Sequence, residues 1–338
     1  ADLFADADLQ AIAPTVALPG NCYPQGFLEL LRTAPAGPVI YTGGLENHPD
    51  LIDAIAAERP LWGNPGPVLR RVRDPFLLQS VLAAAGFAMP ATQNAPPGLP
   101  TDGTWLVKPC RGAGGAGISP WRGQPLTLGR DFCWQRSVEG QPRSALFLGD
   151  GQRAWCLGWV EQLVGEPWLH AGPFAFCGAV GPLPSNRDRA ELERLGDHLA
   201  QAFGLRGIFG VDLLVDSEVI WILEVNPRYP ASAELYERSL EISLIAAHQR
   251  LFQGRSAADV QVPLPAAPPP RCKAILFAPS AFTFDPAKIA TLHGAELADL
   301  PNPGTAIAKG QPILTILTAT IAAARDGAER VYRALGLM

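Results

Sequence analysis

The stretch ILEVNPRYPASAE, from Ile222 to Glu234, decides how the rest of this sequence is interpreted. Its apolar opening predicts a strand, but Glu224, Asn226 and Arg228 follow at every second position. Side chains of a strand alternate between its faces, so an acid, an amide and a guanidinium share one face if the strand continues. A carboxylate in an apolar strand is costly unless it is paired or binds a metal. The stretch therefore predicts a functional site.

The residues before this stretch predict the partner strand of a β-hairpin. VDLLVD and VIWILEV flank a short polar turn. A loop over residues 217–219 places Asp212 opposite Glu224 on the same face, whereas a loop one residue shorter places the two acids on opposite faces. For Asp212 alone a solvated hairpin face is the simpler interpretation. In the first register, however, two carboxylates and the amide oxygen of Asn226 converge, and such hard oxygen ligands suit Mg²⁺.

A glycine-rich loop upstream is the second signal. WLVKPCRGAGGAGI, residues 105–118, predicts a strand carrying Lys108, followed by Gly112, Gly114, Gly115 and Gly117. Glycine permits close approach of the backbone, so successive N–H groups can face phosphate oxygens, and Lys108 would add a point charge. The loop matches neither a phosphate-binding loop ending in GK[ST] nor a dinucleotide-binding fingerprint. A flexible surface turn explains this loop equally well by itself; the acidic hairpin downstream favours phosphate binding.

Length and composition limit the class of protein. The chain has 338 residues, 48% hydrophobic and 17% charged, so we expect a globular protein of two or three packed units. Its net charge of −5 offers no basic surface for nucleic acid or an anionic membrane, and no apolar run is long enough to span a bilayer. The six cysteines show no metal-binding spacing, and no secretory signal is recognised, so we expect free thiols and a cytoplasmic protein.

Element patterns indicate an α/β (α+β) chain of three domains. Residues 1–72 alternate short runs such as the strand PVIYTGG with helices such as PDLIDAIAAE, and predict a small α/β unit whose opening strand and helix are missing. Residues 73–262 begin with a helix ending near Gly86 and contain the strands, the acidic hairpin and a helix over 235–252. Residues 263–338 begin with the linker PLPAAPPPR and predict a small β unit with a terminal helix.

With these signals in this order, the sequence resembles the ATP-grasp superfamily over most of its length. WLVKPCRGAGGAGI resembles the strand and mobile loop over the ATP phosphates, and FCWQRSVEGQPRSALFL the hinge strand beside the adenine. GIFGVDLLVDSEVIWILEVNPR resembles the metal-binding hairpin and is the most specific segment. The tail from Lys273 resembles the small β unit of some carboxylase-like members. EVNPRYPASAE is most similar to uncharacterised members linked to one-carbon coenzyme biosynthesis, and more loosely to glutamate-adding ligases.

The resemblance implies an ATP-grasp fold, ATP and Mg²⁺ as cofactors, and a set of site residues. Lys108 and Arg228 would act in catalysis, with Arg228 stabilising an acyl phosphate. Mg²⁺ would be bound by Asp212, Glu224 and Asn226. The nucleotide would be bound by Lys108, Gly112, Gly114, Gly115, Gly117, Gln135, Arg136, Val138 and Glu139. The implied partners are a small-molecule carboxylate and an amine, with no nucleic acid or membrane, and the resemblance allows a homodimer.

Two positions depart from the pattern of the superfamily. Many members have a lysine at the start of the helix before the grasp domain, and this sequence has Pro75 near that position. Arg73 and Arg71 are the alternatives to that lysine. The acid that usually binds the ribose hydroxyls is not evident, and Glu139 is the candidate.

Three functions remain open on the sequence alone. The first is a carboxylate–amine ligase that forms an amide through an acyl phosphate, releases ADP, and acts on a small metabolite or coenzyme precursor, with an amino acid such as glutamate as a candidate amine. The second is a biotin-carboxylase-like enzyme, although no Met-Lys-Met near Lys309 marks a biotin attachment site. The third is a non-catalytic nucleotide-binding regulator, which the retained Asp212, Glu224, Asn226 and Arg228 disfavour.

Overall fold

The computed structural model of the chain describes residues 1–94, 98–126, 131–184, 188–262, 264–293 and 296–338. These residues form two units, each assembled from separate parts of the chain. The first unit comprises Ala1–Pro35, Gln162–Pro182 and Pro269–Met338, and the second comprises Ala36–Glu161 and Leu183–Pro268. The three-domain division at residues 72 and 262 stays a prediction, because units of close packing and functional domains need not share boundaries.

The described residues contain both helices and strands. The α-helices are α1 Ala7–Ile12, α2 Gly26–Thr33, α3 Pro49–Glu58, α4 Gly66–Val72, α5 Pro75–Ala84, α6 Arg189–Phe203, α7 Ala233–Leu240, α8 Leu244–Phe252 and α9 Ile321–Leu335. The strands are β1 Thr92–Gln93, β2 Trp105–Pro109, β3 Ser119–Pro120, β4 Phe132–Arg136, β5 Gln141–Asp150, β6 Ala154–Val164, β7 Phe176–Leu183, β8 Arg206–Val215, β9 Ile220–Asn226, β10 Arg271–Phe277, β11 Phe282–Thr283, β12 Glu296–Ala298, β13 Ala306–Ile307 and β14 Pro312–Thr318. The predicted mixed α/β class is confirmed.

The second unit contains two antiparallel groups of strands. The smaller has the order β1-β4-β2-β3, and the larger has the order β6-β5-β8-β9. Helices α5 and α6 contribute Leu82 and Leu199 to a core that also contains Phe147 of β5 and Phe209 of β8. The rings of Phe147 and Phe209 stack with centroids 5.0 Å apart. This core supports the strands that carry the acidic hairpin.

The first unit is a β-sheet with a helix packed against it. Its strands have the order β12-β14-β10-β7, and α9 contributes Val331 and Tyr332 to the shared core. The Tyr332 hydroxyl lies 2.9 Å from the Leu169 carbonyl and 3.0 Å from the Phe277 carbonyl, and it accepts a hydrogen bond of 3.1 Å from the Phe277 N–H. The predicted terminal strands KAILFA and PILTIL are confirmed as β10 and β14.

Several predicted elements differ from the structure for identifiable reasons. PVIYTGG is not a strand: Val39 makes one isolated parallel bridge to Leu61, and the segment is bounded by a proline, which lacks an N–H, and by glycines. The predicted helix over 235–252 is two helices, because Glu241 adopts a left-handed conformation with φ 53° between α7 and α8. Apolar periodicity continues across such a break and does not reveal it.

Candidate active site

The hairpin of β8 and β9 places Asp212 directly opposite Glu224, so the predicted pairing is confirmed. The predicted loop length is wrong, because Val215 pairs with Ile220 and the turn is one residue longer. A register shift after Asp212 compensates: Leu213 pairs with Ile222, which leaves Leu223 as the extra residue of a β-bulge. The two carboxylates therefore meet because of the bulge.

The bulge also decides which face of the strand carries Glu224. Ile220 and Ile222 point into the hydrophobic core, and strict alternation would send Glu224 to that same face. After the extra residue Leu223 the alternation is reversed, and Val225 occupies the core instead. Leu223 and Glu224 both line a small cavity. The strand thus keeps its apolar face buried while its acid faces the cavity.

Asp212 and Glu224 are held in different electrostatic states. Burial, and then the charge of Glu224, raise the pKa of Asp212 to about 6. Burial also acts to raise the pKa of Glu224, but the charges of Arg73, Lys108 and Arg228 hold that pKa below its ordinary value. Asp212 accepts a hydrogen bond of 2.9 Å from the amide nitrogen of Asn226. Nearby cations therefore compensate the charge of Glu224 more fully than the charge of Asp212.

The donor set of this hairpin suits Mg²⁺ bound together with phosphate. Asp212 and Glu224 supply two carboxylates beside the Asn226 amide, and Mg²⁺ usually takes one or two carboxylates plus water and phosphate oxygens. Across the described residues, no three or more His, Cys, Asp or Glu side chains are grouped so that they could hold a metal by themselves. Burial and the neighbouring Glu224 raise the pKa of Asp212, and a bound cation would favour its charged form.

Arg73 lies at this hairpin and Arg71 does not. The Arg73 guanidinium is 3.4 Å from the Glu224 carboxylate, and it donates to the carbonyl oxygens of Val225 at 3.3 Å and Gly112 at 3.1 Å. The residue after Arg73, Asp74, caps α5 by accepting from the first N–H groups of that helix, which fixes the chain at this point. The Arg71 guanidinium instead donates to the Ala202 carbonyl at 2.8 Å.

Lys108 projects from β2 toward the same cavity. Its register partner across the small sheet is Cys133, and its ammonium donates to the side-chain oxygen of Gln135 at 3.1 Å. Lys108, Gln135 and Glu224 all line the small cavity of about 40 Å³. Lys108 is therefore brought to the acidic hairpin, as the resemblance implies, and Gln135 contributes its side chain there.

Arg228 is held by the protein's own groups. Its Nε and Nη2 both lie 3.0 Å from one carboxylate oxygen of Glu46, and Nη2 donates to the Asn226 side-chain oxygen at 3.3 Å. The Glu46 side chain is only 1% exposed, and its second oxygen has no hydrogen-bond partner among the described residues. Asp212, Asn226 and Arg228 are thus connected by hydrogen bonds. The strand does not continue to Arg228 as predicted, because β9 ends at Asn226 before Pro227.

The glycine loop is hydrogen-bonded at its first glycine and continues through glycines with positive φ angles. The Gly112 carbonyl accepts from Arg73 and, at 3.2 Å, from the Asn47 amide. Gly114, Gly115 and Gly117 have φ values of 60°, 79° and 80°, a region that favours glycine. A Cβ at Gly117 would lie 2.9 Å from the ring of Pro109. These positions require glycine for their backbone conformation whether or not a phosphate binds.

The segment predicted to bind adenosine lies at the end of β4. The N–H of Arg136 donates to the Ala91 carbonyl at 2.8 Å, and the N–H of Ser137 donates to the Thr104 carbonyl at 2.9 Å. Val138 is half-buried, and Glu139 is exposed. Backbone contacts from this segment to an adenine would therefore not use the N–H of Arg136 or Ser137. The roles of Arg136, Val138 and Glu139 stay predictions.

Sequence reasoning missed Glu46 and Asn47. Both lie in a single 3₁₀ turn, Leu45–Asn47, shortly before α3, where an acid and an amide are ordinary residues, so their type carries no signal. Their contacts are with Arg228, Arg73 and Gly112, far away along the chain. Only co-variation or a structure could have linked them to the hairpin.

Comparisons with known proteins identify the kind of domain to which this hairpin belongs. The family model described as an ATP-grasp domain matches residues 72–232. The carbamoyl phosphate synthase large chain of Beutenbergia cavernae is 26% identical over 274 residues, a match that covers 69% of this chain and 23% of that protein. The chain thus spans less than a quarter of the length of this relative.

Two solved structures illustrate the shared fold. N5-carboxyaminoimidazole ribonucleotide synthetase from Thermus thermophilus superimposes with a TM-score of 0.67 at 19% identity, over 100% of this chain and 91% of that chain. The biotin carboxylase domain dimer of 2-oxoglutarate carboxylase from Hydrogenobacter thermophilus, solved with MgADP, ADP and bicarbonate, superimposes with a TM-score of 0.66 at 13% identity. That match covers 87% of this chain and 72% of the other.

The comparisons and the fold lead to one assignment. The matched residues 72–232 include the glycine loop, the hinge strand and the acidic hairpin, which are the segments that carried the resemblance. Among the described residues, no helix combines the length and apolar character needed to cross a lipid bilayer. The chain contains an ATP-grasp domain and has the ATP-grasp fold.

Proposed function

We propose that this protein is a carboxylate–amine ligase that uses ATP and Mg²⁺ to form an amide through an acyl phosphate, with release of ADP. The observation that carries the proposal is the convergence of Asp212, Glu224 and Asn226 with cations at one hairpin. Two anionic reactants, a carboxylate and a triphosphate, repel each other, so their reaction requires such charges. The assignment of Lys108, Arg228, the glycines and the metal ligands belongs to this proposal.

Each group of the site has a distinct role in this reaction. Bound Mg²⁺ and ATP supply a Lewis acid and the phosphoryl group. Asp212 and Glu224 hold the cation, while Lys108 and the N–H groups of Gly112, Gly114, Gly115 and Gly117 hold phosphate oxygens. Arg228, fixed by Glu46, offers its charge to the acyl phosphate. No covalent protein nucleophile is needed, since the amine displaces phosphate directly.

The substrates are a small carboxylate and an amine, with glutamate as the first amine to examine because of the resemblance to glutamate-adding ligases. A coenzyme precursor linked to one-carbon metabolism is the corresponding candidate for the carboxylate. A cytoplasmic location, which the sequence led us to expect, and a homodimer, which the resemblance allows, stay predictions.

A carboxylating enzyme is the second candidate. The likeness to the biotin carboxylase domain solved with MgADP and bicarbonate favours it, because bicarbonate would then take the place of the organic carboxylate. The two candidates share the phosphoryl-transfer step and differ in the compound that stimulates it.

The test is ADP release by the full chain with ATP–Mg²⁺ against a panel of carboxylates and amines, with bicarbonate as a separate arm. Ligation requires that one carboxylate and one amine together stimulate ADP release and yield an amide by mass spectrometry. Stimulation by bicarbonate alone would favour carboxylation, and nucleotide binding without turnover throughout would support a regulator.

A matched pair of variants tests the metal assignment in the same assay. Glu224→Gln removes one charged ligand and should lower ADP formation at least about 100-fold, because phosphate charge is left uncompensated. Glu218→Gln makes the same change in the exposed turn of the same hairpin, where it should leave the rate within about twofold. Near wild-type rates and magnesium dependence in Glu224→Gln would refute the assignment.

A further inference from the structure

Three polar side chains lie on one face of the small sheet in the second unit. Thr92 of β1 pairs with Gln135 of β4, and Lys108 of β2 pairs with Cys133, two residues before Gln135. Partners directly opposite, and residues two apart on one strand, share a face. Thr92 and Gln135 are only 8% and 4% exposed. Thr92 and Gln135 are therefore buried neighbours of the partly exposed Lys108.

Hydrogen bonds connect these side chains in a row. The Thr92 hydroxyl lies 2.8 Å from the Pro90 carbonyl oxygen, and the Gln135 amide nitrogen lies 3.2 Å from the Thr92 hydroxyl. The Gln135 amide oxygen lies 3.1 Å from the Lys108 ammonium. We call this row, from the Pro90 carbonyl through Thr92 and Gln135 to Lys108, the Thr92–Gln135 chain.

The hydrogen bonds of the Thr92–Gln135 chain can be donated in only one order. A carbonyl can only accept, so the single hydroxyl proton of Thr92 goes to Pro90. The Thr92 oxygen must then accept from Gln135, which leaves the Gln135 amide oxygen toward Lys108. The reversed amide would set its NH₂ group against an ammonium, which can only donate. The buried threonine thereby decides that Gln135 offers an acceptor to Lys108.

We propose that Thr92 and Gln135 are positioning residues that aim the Lys108 ammonium at the nucleotide phosphates. The inference rests on the proposed function for the identity of the ligand. A lysine side chain is flexible, and ordering it costs conformational entropy at the moment of binding. Because Thr92 fixes the orientation of Gln135, the acceptor orders the Lys108 side chain before the nucleotide binds, and less entropy is lost on binding. The acceptor is a neutral amide, so it does not neutralise the ammonium charge as a carboxylate would.

The first test compares two substitutions of Thr92 by calorimetric titration with ATP–Mg²⁺. Thr92→Val keeps the shape of the side chain but removes the acceptor, and should weaken binding about 3- to 10-fold, the range for one hydrogen bond. Thr92→Ser keeps the hydroxyl and should restore the wild-type affinity to within about twofold. Equal affinities of the Val and Ser variants would overturn the proposal.

A double-mutant cycle separates positioning from a structural role. If Thr92 acts through Lys108, the loss caused by Thr92→Val should disappear in a Lys108→Met background. A loss of the same size in both backgrounds would show that Thr92 acts through the fold, and would overturn the proposal. Gln135→Glu adds a sharper contrast: its charge would neutralise the ammonium and should weaken binding more than Gln135→Met does.

A second readout does not involve the nucleotide. In ¹⁵N-lysine spectra of the ligand-free protein, the Lys108 ammonium protons should exchange slowly with water in the wild type and in Thr92→Ser, and faster in Thr92→Val. Equal exchange in all three would overturn the positioning of Lys108. If the wild type bound no ATP–Mg²⁺, the proposed function would fail, while this measurement would still decide whether Thr92 and Gln135 control Lys108.

Discussion

Asp212 and Glu224 face each other across the hairpin, yet their surroundings shift their pKa values in opposite directions. The difference has a geometric cause. Arg73 forms an ion pair with Glu224 and Lys108 lines the same cavity as Glu224, whereas Asp212 accepts a hydrogen bond from the Asn226 amide. Residues from outside the hairpin, Arg73 and Lys108, thus help to decide which of the two carboxylates has the lower pKa. The contribution of each residue can be tested by substitution.

Replacing Asp212 with asparagine should stabilise the metal-free protein. The folded-state pKa of Asp212 is about 6, above its ordinary value of 3.8, so between these values the folded protein keeps a proton that the unfolded chain has lost. Stability therefore falls as the pH rises through this window. At pH 7 with a chelator, Asp212→Asn should be more stable by about 1–3 kcal/mol, and the gain should vanish near pH 4.

Thermal unfolding from pH 4 to pH 7 in a chelating buffer measures this gain. An unchanged midpoint at pH 7 would show that Asp212 is not destabilised in the folded state. Added Mg²⁺ with nucleotide should raise the midpoint of the wild type and leave that of Asp212→Asn nearly unchanged.

Arg73 and Arg71 form a matched pair for the missing lysine of the superfamily. Arg73→Met removes the cation beside Glu224 and the donor to Gly112, and should lower turnover at least about 10-fold. Arg71→Met loses a bond to Ala202 and a contact with the Phe203 ring, 5.5 Å from its centroid, so its cost should be in stability. Steady-state kinetics beside thermal unfolding separates the two effects. Equal turnover of the two variants would show that Arg73 has no role at the site.

At the scale of elements, the β-bulge in β9 reconciles two demands on one strand. The core requires apolar side chains at Ile220, Ile222 and Val225, while the site requires Glu224 and Asn226 on the opposite face. No regular strand satisfies both sets, because alternation is strict. One unpaired residue, Leu223, reverses the alternation between them.

The glycine loop is the element expected to respond to ligand. Within it, the Ala116 N–H lies 3.2 Å from the Ala113 carbonyl and the Ile118 N–H lies 3.3 Å from the Gly115 carbonyl, which are long hydrogen bonds. Amide exchange across Arg111 to Gly117 should therefore be fast without ligand and slow markedly with ATP–Mg²⁺. Residues 313–317 of β14 serve as the internal reference. Unchanged loop exchange at saturating nucleotide would argue against a lid.

At the scale of the whole molecule, buried apolar residues separate into cores that follow the two units. The core of the first unit joins Leu163, Leu169 and Cys177 with residues from 272 to 335. Strand β7 pairs with β10, which lies beyond the Pro-rich segment. The predicted terminal β unit therefore incorporates a segment from the middle of the chain.

Two buried tyrosines allow the stability of each unit to be examined. Tyr332→Phe removes a hydroxyl bonded to Leu169 and Phe277, and should cost about 1–3 kcal/mol in the first unit. Tyr236→Phe removes a buried hydroxyl without a hydrogen-bond partner among the described residues, so it should be neutral or stabilising. Denaturant unfolding measures both. A larger loss for Tyr236→Phe than for Tyr332→Phe would contradict this account.

The sequence by itself determined the parts of this protein that depend on neighbouring residues. Alternation identified a shared face for Glu224 and Asn226 but left open the register that brings Asp212 to it, and glycine spacing identified a loop with unusual dihedral angles. Both follow from backbone geometry over a few residues, so no tertiary information was needed. The assignment to the ATP-grasp fold depended on these same short segments.

Only the tertiary structure decided which distant groups meet the hairpin. The bulge at Leu223 reflects competition between core packing and a cleft, which periodicity does not contain. Arg228 binds Glu46 across 182 positions of sequence, and Arg73 reaches Glu224 across 151. Such contacts depend on how whole elements pack, and a charged residue at the surface of an element is compatible with many partners. Packing selects one of them, because a buried charge without a partner is costly.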